Sequence, residues 1–332
     1  MSALIDLPNV DVILPFHEVN AYLYEAIESI CQSVGVKVKL ILIDDRLELI
    51  EEFKQPLGAT LIKSGGVGYA KSILLATQSL ESEYVAFMDS DDLTSPRRLR
   101  DQIDLLKMSG SDLCSCDMLK INSRSRVNRL QSVDLSALSK QSYELLLGSF
   151  GANSTWVIKN SFLRSFDFFQ KDVESLDWAT ALKSFGDVKR IHLHKKYYFY
   201  RQHRGQMTKS SKYIDSIALE VYPLWRNLNA NLKLPILTKS SFTSVCFPNA
   251  QTQLNEEVFE WIRQFQNQVS SISIKKRVYT KAVISYRITT TIWRTKSLKN
   301  LSYRIRMSIL IGNLIYICLV LRQVPVFRIK IN

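Results

Sequence analysis

Between residues 10 and 110 short apolar runs of β-forming residues alternate with segments of helical periodicity, and nothing else in the 332-residue chain constrains its fold as tightly. Val10-Asp11-Val12-Ile13-Leu14 and Leu40-Ile41-Leu42-Ile43 read as strands, the second marked as buried by its unbroken apolarity. Residues 60–63 and Val85-Ala86-Phe87-Met88 supply two more. Helical patterns fill the intervals at 22–32, 47–53 and 68–80. A further helix is expected over 97–108, with Ser95 as its cap and Pro96 at its first position. Such alternation requires a mostly parallel sheet covered on both faces by right-handed crossovers. Ligands of these sheets bind beyond the carboxyl ends of the strands. Two of those ends carry acids here, Asp44-Asp45 and Asp89-Ser90-Asp91-Asp92.

Beyond residue 110 the pattern is mixed. Strands are expected at 113–121, 155–158, 188–191 and 197–200, with helices near 143–147 and 176–184, and 213–268 reads as mostly helical. The chain therefore divides into 1–110, 111–210 and 211–332. Five cysteines without framework spacing fit a reducing compartment. Cys114-x-Cys116 is too tight for a zinc knuckle, and buried thiols suit it better. His192 and His194 alternate on an expected strand. Nothing in the sequence pairs them with a metal, so they are read as structural.

Three carboxylates within Asp89-Ser90-Asp91-Asp92 repel one another unless a cation sits among them. Hard oxygen ligands of this kind suit Mg²⁺ or Mn²⁺ bridging a diphosphate. The same residues also suit a turn before the Pro96 helix. Gly65-Gly66-x-Gly68 opens a helix but lacks the pattern of a dinucleotide or P-loop cradle, so it reads as a tight turn.

Taken in order, several blocks resemble the family 2 glycosyltransferases. They are Val12-Ile13-Leu14-Pro15-Phe16-His17-Glu18, Leu42-Ile43-Asp44-Asp45, Gly66-x-x-x-Ala70-Lys71-Ser72, Tyr84 through Leu93 with its acidic run, Leu176-Asp177-Trp178 and Tyr200-Arg201-Gln202-His203. The resemblance extends from Val10 to about Thr208. It implies an α/β GT-A (Rossmann-like) mixed sheet flanked by helices, here with a C-terminal helical extension, and inverting transfer from a nucleotide sugar, with UDP expected. It also implies site roles. Pro15, His17, Asp44, Lys71, Asp89 and Ser90 would bind the nucleotide sugar, with Asp44 accepting a hydrogen bond from the base. Asp91, with Asp89 and His203, would hold Mn²⁺ or Mg²⁺, and Asp92 would assist. Asp177 would be the general base, although an Asp in that place also suits a helix cap. Arg201 or Arg204 would neutralise the leaving nucleotide. The chain departs from the family's pattern at His17-Glu18, at Arg46-Leu47-Glu48 and at Ala70-Lys71-Ser72.

Charge separates the parts. Thirteen of the 44 basic residues lie after Arg263 and no acidic one does, so residues 1–263 balance 31 against 31. A neutral body with a cationic tail points away from nucleic acid and toward a separate partner for the tail. Residues 307–321 are fifteen uncharged positions, short of the roughly twenty needed to span a bilayer. The basic tail over 272–332, interleaved with Tyr279, Tyr286, Trp293, Tyr303 and Tyr316, is expected to attach to an anionic membrane surface, or else to pack as a helical subdomain that buries 307–321. The N-terminus shows no secretory signal, so a cytoplasmic protein, peripheral on the inner face of the cell membrane, is expected. Its acceptor would be a glycan or a lipid-linked sugar in surface polysaccharide biosynthesis. Two alternatives stay open: transfer to a polyprenyl phosphate, which needs no base, and a catalytically silent nucleotide-binding relative.

Overall fold

The computed structural model describes residues 6–48, 53–127, 146, 151–165, 176–184, 187–203, 206, 211–246 and 255–270. The chain forms two compact units. One comprises residues 1–138, 151–180 and 184–210, and the other 139–150, 181–183 and 211–332.

The first unit is built on one eight-stranded sheet in the order β3-β2-β1-β4-β7-β6-β8-β5. Strands β1 (Asn9–Phe16), β2 (Lys37–Asp44), β3 (Thr60–Lys63) and β4 (Tyr84–Phe87) are mutually parallel, so their carboxyl ends fall on one side. Helices α1 (Ala21–Cys31), α2 (Tyr69–Thr77) and α3 (Arg98–Ser109) make the crossovers. The central strand β1 is buried from Val10 through Phe16, as expected of a strand covered on both faces. Its one buried acid, Asp11, is fully satisfied: its carboxylate accepts from the Glu81 and Ser82 amides and from the Ser82 hydroxyl.

The rest of the sheet is mixed. Strand β7 (Val157–Lys159) runs antiparallel to both β4 and β6 (Leu113–Asn122), and the two-residue β5 (Leu93–Thr94) runs antiparallel to β8 (Arg190–Gln202). A single thirteen-residue β8 replaces the two short strands expected at 188–191 and 197–200. It stays continuous because it pairs with β6 along its whole length, across register shifts around Asp117.

Two helix expectations also change. Helix α3 begins at Arg98, with Arg97 flanking it and no side-chain cap. Ser95 is still engaged with the sheet through its amide, which donates to the Tyr197 carbonyl, and it meets the helix only by accepting from the Arg98 amide. Leu47 and Glu48 form a bend where a helix was expected, and residues 49–52 lie outside the described residues.

The second unit is helical over its described residues. It contains α6 (Ser211–Asn231), α7 (Lys239–Cys246), α8 (Glu256–Ser270) and the last three residues of α5 (Leu176–Lys183), whereas α4 (Asn160–Ser165) and the start of α5 belong to the first unit. Its interior is aromatic: the Trp225 and Trp261 rings lie 5.7 Å apart, and Phe242 and Phe265 pack beside them. Each buried indole N–H has an acceptor, the Leu146 carbonyl for Trp225 and the Asn229 side chain for Trp261. Apart from Leu146, the helix expected near 143–147 lies outside the described residues, as does the apolar segment at 307–321. Among the described residues no helix is long and apolar enough to cross a membrane.

Candidate active site

Chain punctuation at the carboxyl ends of β1, β2 and β4 positions the site. Pro15 pairs with Ile43 near the end of β1, and His17 stands exposed one residue beyond that strand. The segment after β4 turns through Asp89, Ser90 and Asp91 into β5, whose pairing with β8 brings the far end of β8 alongside.

Two of the expected ligands meet there. His203 Nε2 lies 2.8 Å from Asp91 Oδ2, both side chains partly open to solvent. The Tyr22 ring packs 5.5 Å from the imidazole. Asp89 is half-buried and accepts a hydrogen bond from the Tyr69 hydroxyl at 3.2 Å, and that hydroxyl accepts one from Asn153 at 2.8 Å. Burial foremost, then the charge of Asp91, pushes the Asp89 carboxyl up to about 6, with Asp177 contributing in the same direction. Burial and then Asp89 likewise hold the Tyr69 phenol well above its ordinary range. Asp177 thus faces the same electrostatic neighbourhood from the first turn of α5. One of its oxygens also accepts from the Trp178 amide at 2.7 Å, a contact within that first turn.

This donor set fits a divalent cation on chemical grounds. Crowded carboxylates raise one another, and a cation relieves that repulsion. Asp91, His203 and Asp89 could hold the ion, which would supply charge neutralisation to a diphosphate.

The structure places other expected residues differently. Asp92 is fully buried, and one of its oxygens accepts from the Arg201 amide at 2.6 Å while the other has no hydrogen-bond partner among the described residues. Burial and then Asp91 hold its carboxyl well above the usual carboxylate range. It clamps β8 and does not reach a ligand. Arg201 is buried as well: its guanidinium donates to the Asp91 carbonyl, Ser125 and Glu25 and lies 4.4 Å from the Tyr22 ring centre. It positions the acidic turn and is not exposed to a leaving nucleotide, contrary to expectation. Arg204 lies outside the described residues.

Asp44 is buried at the end of β2 and gripped by Arg46, with Nε to Oδ1 at 2.7 Å and an amino nitrogen to Oδ2 at 2.6 Å. Arg46 foremost, against burial, keeps this carboxyl below the usual carboxylate range. The neighbouring Asp45 instead anchors the glycine loop, accepting from the Ser64 hydroxyl and the Gly68 amide. Gly65, Gly66 and Gly68 all adopt positive φ, and a Cβ on Gly66 would come within 2.5 Å of the Leu47 side chain. Lys71 sits half-buried in the first turn of α2, and Ser90 is half-buried in the acidic turn.

Sequence reasoning missed the supports: Tyr69, Asn153, Glu25 and above all Arg98. Arg98 is buried and donates to the carbonyls of Phe87 and Ser154 and to Gln102, with its guanidinium 5.0 Å from the centre of the Tyr198 ring. Its only sequence signal was an arginine placed on the apolar face of an otherwise amphipathic helix. The contact of His192 with Asp117 was not legible either, because Asp117 lies 75 residues before it.

Comparison with known proteins bears on the family and the fold. Residues 11–172 match the family described as Glycosyl transferase family 2. The curated relatives include poly(ribitol-phosphate) beta-N-acetylglucosaminyltransferase TarS from two strains of Staphylococcus aureus, Mu50 and MW2. Each is 25% identical over 221 residues, covering 61% of this chain and 37% of the relative. This chain thus spans well under half the length of those relatives. Among solved structures, residues 1–349 of S. aureus TarS in complex with UDP-GlcNAc superpose with a TM-score of 0.52 at 17% identity, covering 89% of this chain and 91% of the other. The same protein in complex with UDP gives 0.50 at 18% identity, covering 89% and 91%. The shared fold is GT-A.

Proposed function

The chain belongs to the family 2 glycosyltransferases through residues 11–172, and from that premise we propose that it transfers a sugar, with inversion, from a UDP-sugar to a hydroxyl of a glycan or lipid-linked acceptor. The observation that carries the reading is the convergence of Asp89, Asp91, His203 and Asp177 beyond the carboxyl ends of the parallel strands. TarS is named for moving N-acetylglucosamine onto poly(ribitol-phosphate), which makes UDP-GlcNAc the first donor to test and a surface polymer the first acceptor class.

In the proposed step the acceptor oxygen attacks the anomeric carbon from the face opposite the diphosphate. The bond from that carbon to the diphosphate oxygen breaks, and its electron pair leaves with UDP. Asp177 takes the acceptor proton. Asp91 and His203, with Asp89, would hold a divalent ion, which would supply charge neutralisation at the diphosphate. Pro15, His17, Lys71 and Ser90 line the donor side. Asp44 reads the base together with Arg46, because Arg46 already occupies both of its oxygens.

The test is a panel of nucleotide sugars with Mn²⁺ or Mg²⁺, scored first by thermal stabilisation and then by release of UDP in the presence of acceptor. A metal-dependent shift with one UDP-sugar is expected. Absence of both shift and turnover across the panel would sink the proposal and favour a silent relative. Turnover that survives Asp177→Asn would point to a phosphate acceptor. The cationic segment beyond Arg263 is proposed to hold the enzyme against an anionic cytoplasmic membrane face. Co-sedimentation with phosphatidylglycerol vesicles, lost at high salt, is the result expected.

A further inference from the structure

A second group of metal-ligating side chains lies on the same sheet, near the start of β8. There β6 and β8 pair in regular parallel register, Ser115 with His192 and Cys116 with Leu193, until Asp117 skips to Lys196. His194 and Lys195 are therefore surplus on β8, the mark of a bulge that re-aims a side chain. The result sets His194 beside His192, with ring centroids 4.8 Å apart and edge-on, and sets Asp117 against both. His192 Nε2 is 2.9 Å from Asp117 Oδ1, and one ligand atom from each of the three residues lies within 4.8 Å of the others. Asp117 is buried, His192 half-buried and His194 exposed, so the cluster opens to solvent on one side.

We propose that Asp117, His192 and His194 form a zinc site, separate from the catalytic cation site, that pins β6 to β8 at the bulge. Two imidazoles and one carboxylate suit Zn²⁺ and its borderline relatives, whereas Mg²⁺ and Mn²⁺ favour all-oxygen sets. Three protein ligands with an open side leave a fourth, tetrahedral position for water. Bonds of about 2.0–2.1 Å at tetrahedral angles put ligand atoms roughly 3.3 Å apart. Asp117 and His192 stand slightly closer than that, at 2.9 Å, and side-chain rotation of the exposed His194 would complete the set.

Ser115 supplies the outer support, its Oγ lying 2.8 Å from His192 Nδ1. For Nε2 to ligate the ion, the ring would carry its proton on Nδ1 and donate it to Ser115 Oγ, which would leave the Nε2 lone pair for the metal. The pinned strand is the one that continues to Tyr198, Arg201 and His203.

The experiment takes the full chain stripped of metal by chelator and titrates it with Zn²⁺, and with Co²⁺ as a visible reporter. The expected result is one tight Zn²⁺ retained in Asp91→Asn, with tetrahedral Co²⁺ absorption, a raised melting temperature, and at least tenfold weaker binding in His194→Gln. Because His194 is exposed, that substitution leaves folding intact, checked by far-ultraviolet circular dichroism. Glycosyl transfer with Mn²⁺ in His194→Gln is expected within twofold of the unaltered chain, so failure here is distinguishable from failure of the catalytic assignment. Equal Zn²⁺ affinity in His194→Gln, or loss of zinc binding in Asp91→Asn alone, would overturn the proposal.

Discussion

Strand β8 carries an aspartate–histidine pair near each end, and the two are built on opposite plans. At its far end His203 meets Asp91 within a crowd of carboxylates that also holds Asp89, Asp92 and Asp177. Near its start two imidazoles share the single Asp117. The first arrangement concentrates negative charge and leaves Asp89 raised, which suits a hard cation carrying a diphosphate. The second is sparing in charge and rich in nitrogen, which suits a tightly held borderline metal. Motif spacing alone does not separate these cases; the ratio of oxygen to nitrogen donors does.

The contrast can be broken in several ways, beginning with the largest effect. Asp177→Asn should lower transfer by about 10³-fold or more while leaving UDP binding within a few-fold, since a general base contributes typically 10²–10⁴; paired turnover and calorimetric measurements decide it. Asp91→Asn should lower metal-dependent transfer by about a hundredfold and weaken Mn²⁺ dependence. If His194→Gln did the same, the two ends would not be functionally distinct.

Arg98→Met tests the frame shared by both ends. It leaves the carbonyls of Phe87 and Ser154 without their donor and should cost about 3 kcal/mol of stability in urea unfolding. The smallest effect is pH-linked. Burial and then Asp91 push the Asp89 carboxyl from its ordinary 3.8 up to about 6, so the fold favours its protonated form. Stability of the metal-free protein should therefore be greatest below about pH 4 as far as this group is concerned, and decline as pH rises through about 6. By the conversion of about 1.4 kcal/mol per unit the decline is on the order of 2–3 kcal/mol. Asp89→Asn should flatten it, and added Mn²⁺ should oppose it above pH 6.

Strand–helix alternation made the first half of the sheet legible. The parallel strands β1 to β4 need only local apolar runs, and β3 fell at its expected bounds. The acidic turn was legible because three acids after a buried strand are costly without a purpose. Less legible was whatever depends on distant pairing. Two apparent short strands are one because β6 lies beside them throughout, and the helix at Arg98 starts late because β5 holds Ser95 in the sheet. Arg201 was expected at the nucleotide, yet Glu25 and the Asp91 carbonyl hold it inside, and neither contact leaves a local trace in the sequence. His192 and His194 looked idle for the same reason, since only the β6 pairing brings Asp117 to them.

Among the chain's five tryptophans, two settings stand apart as optical reporters. Trp178 is buried, and its amide bonds the carboxylate proposed as the base, whereas Trp225 and Trp261 are locked together within the helical unit. Replacing Trp156, Trp225, Trp261 and Trp293 by Phe would leave Trp178 as the sole emitter of the original five tryptophans. Light from Trp178 would then follow donor binding as it happens, without any label.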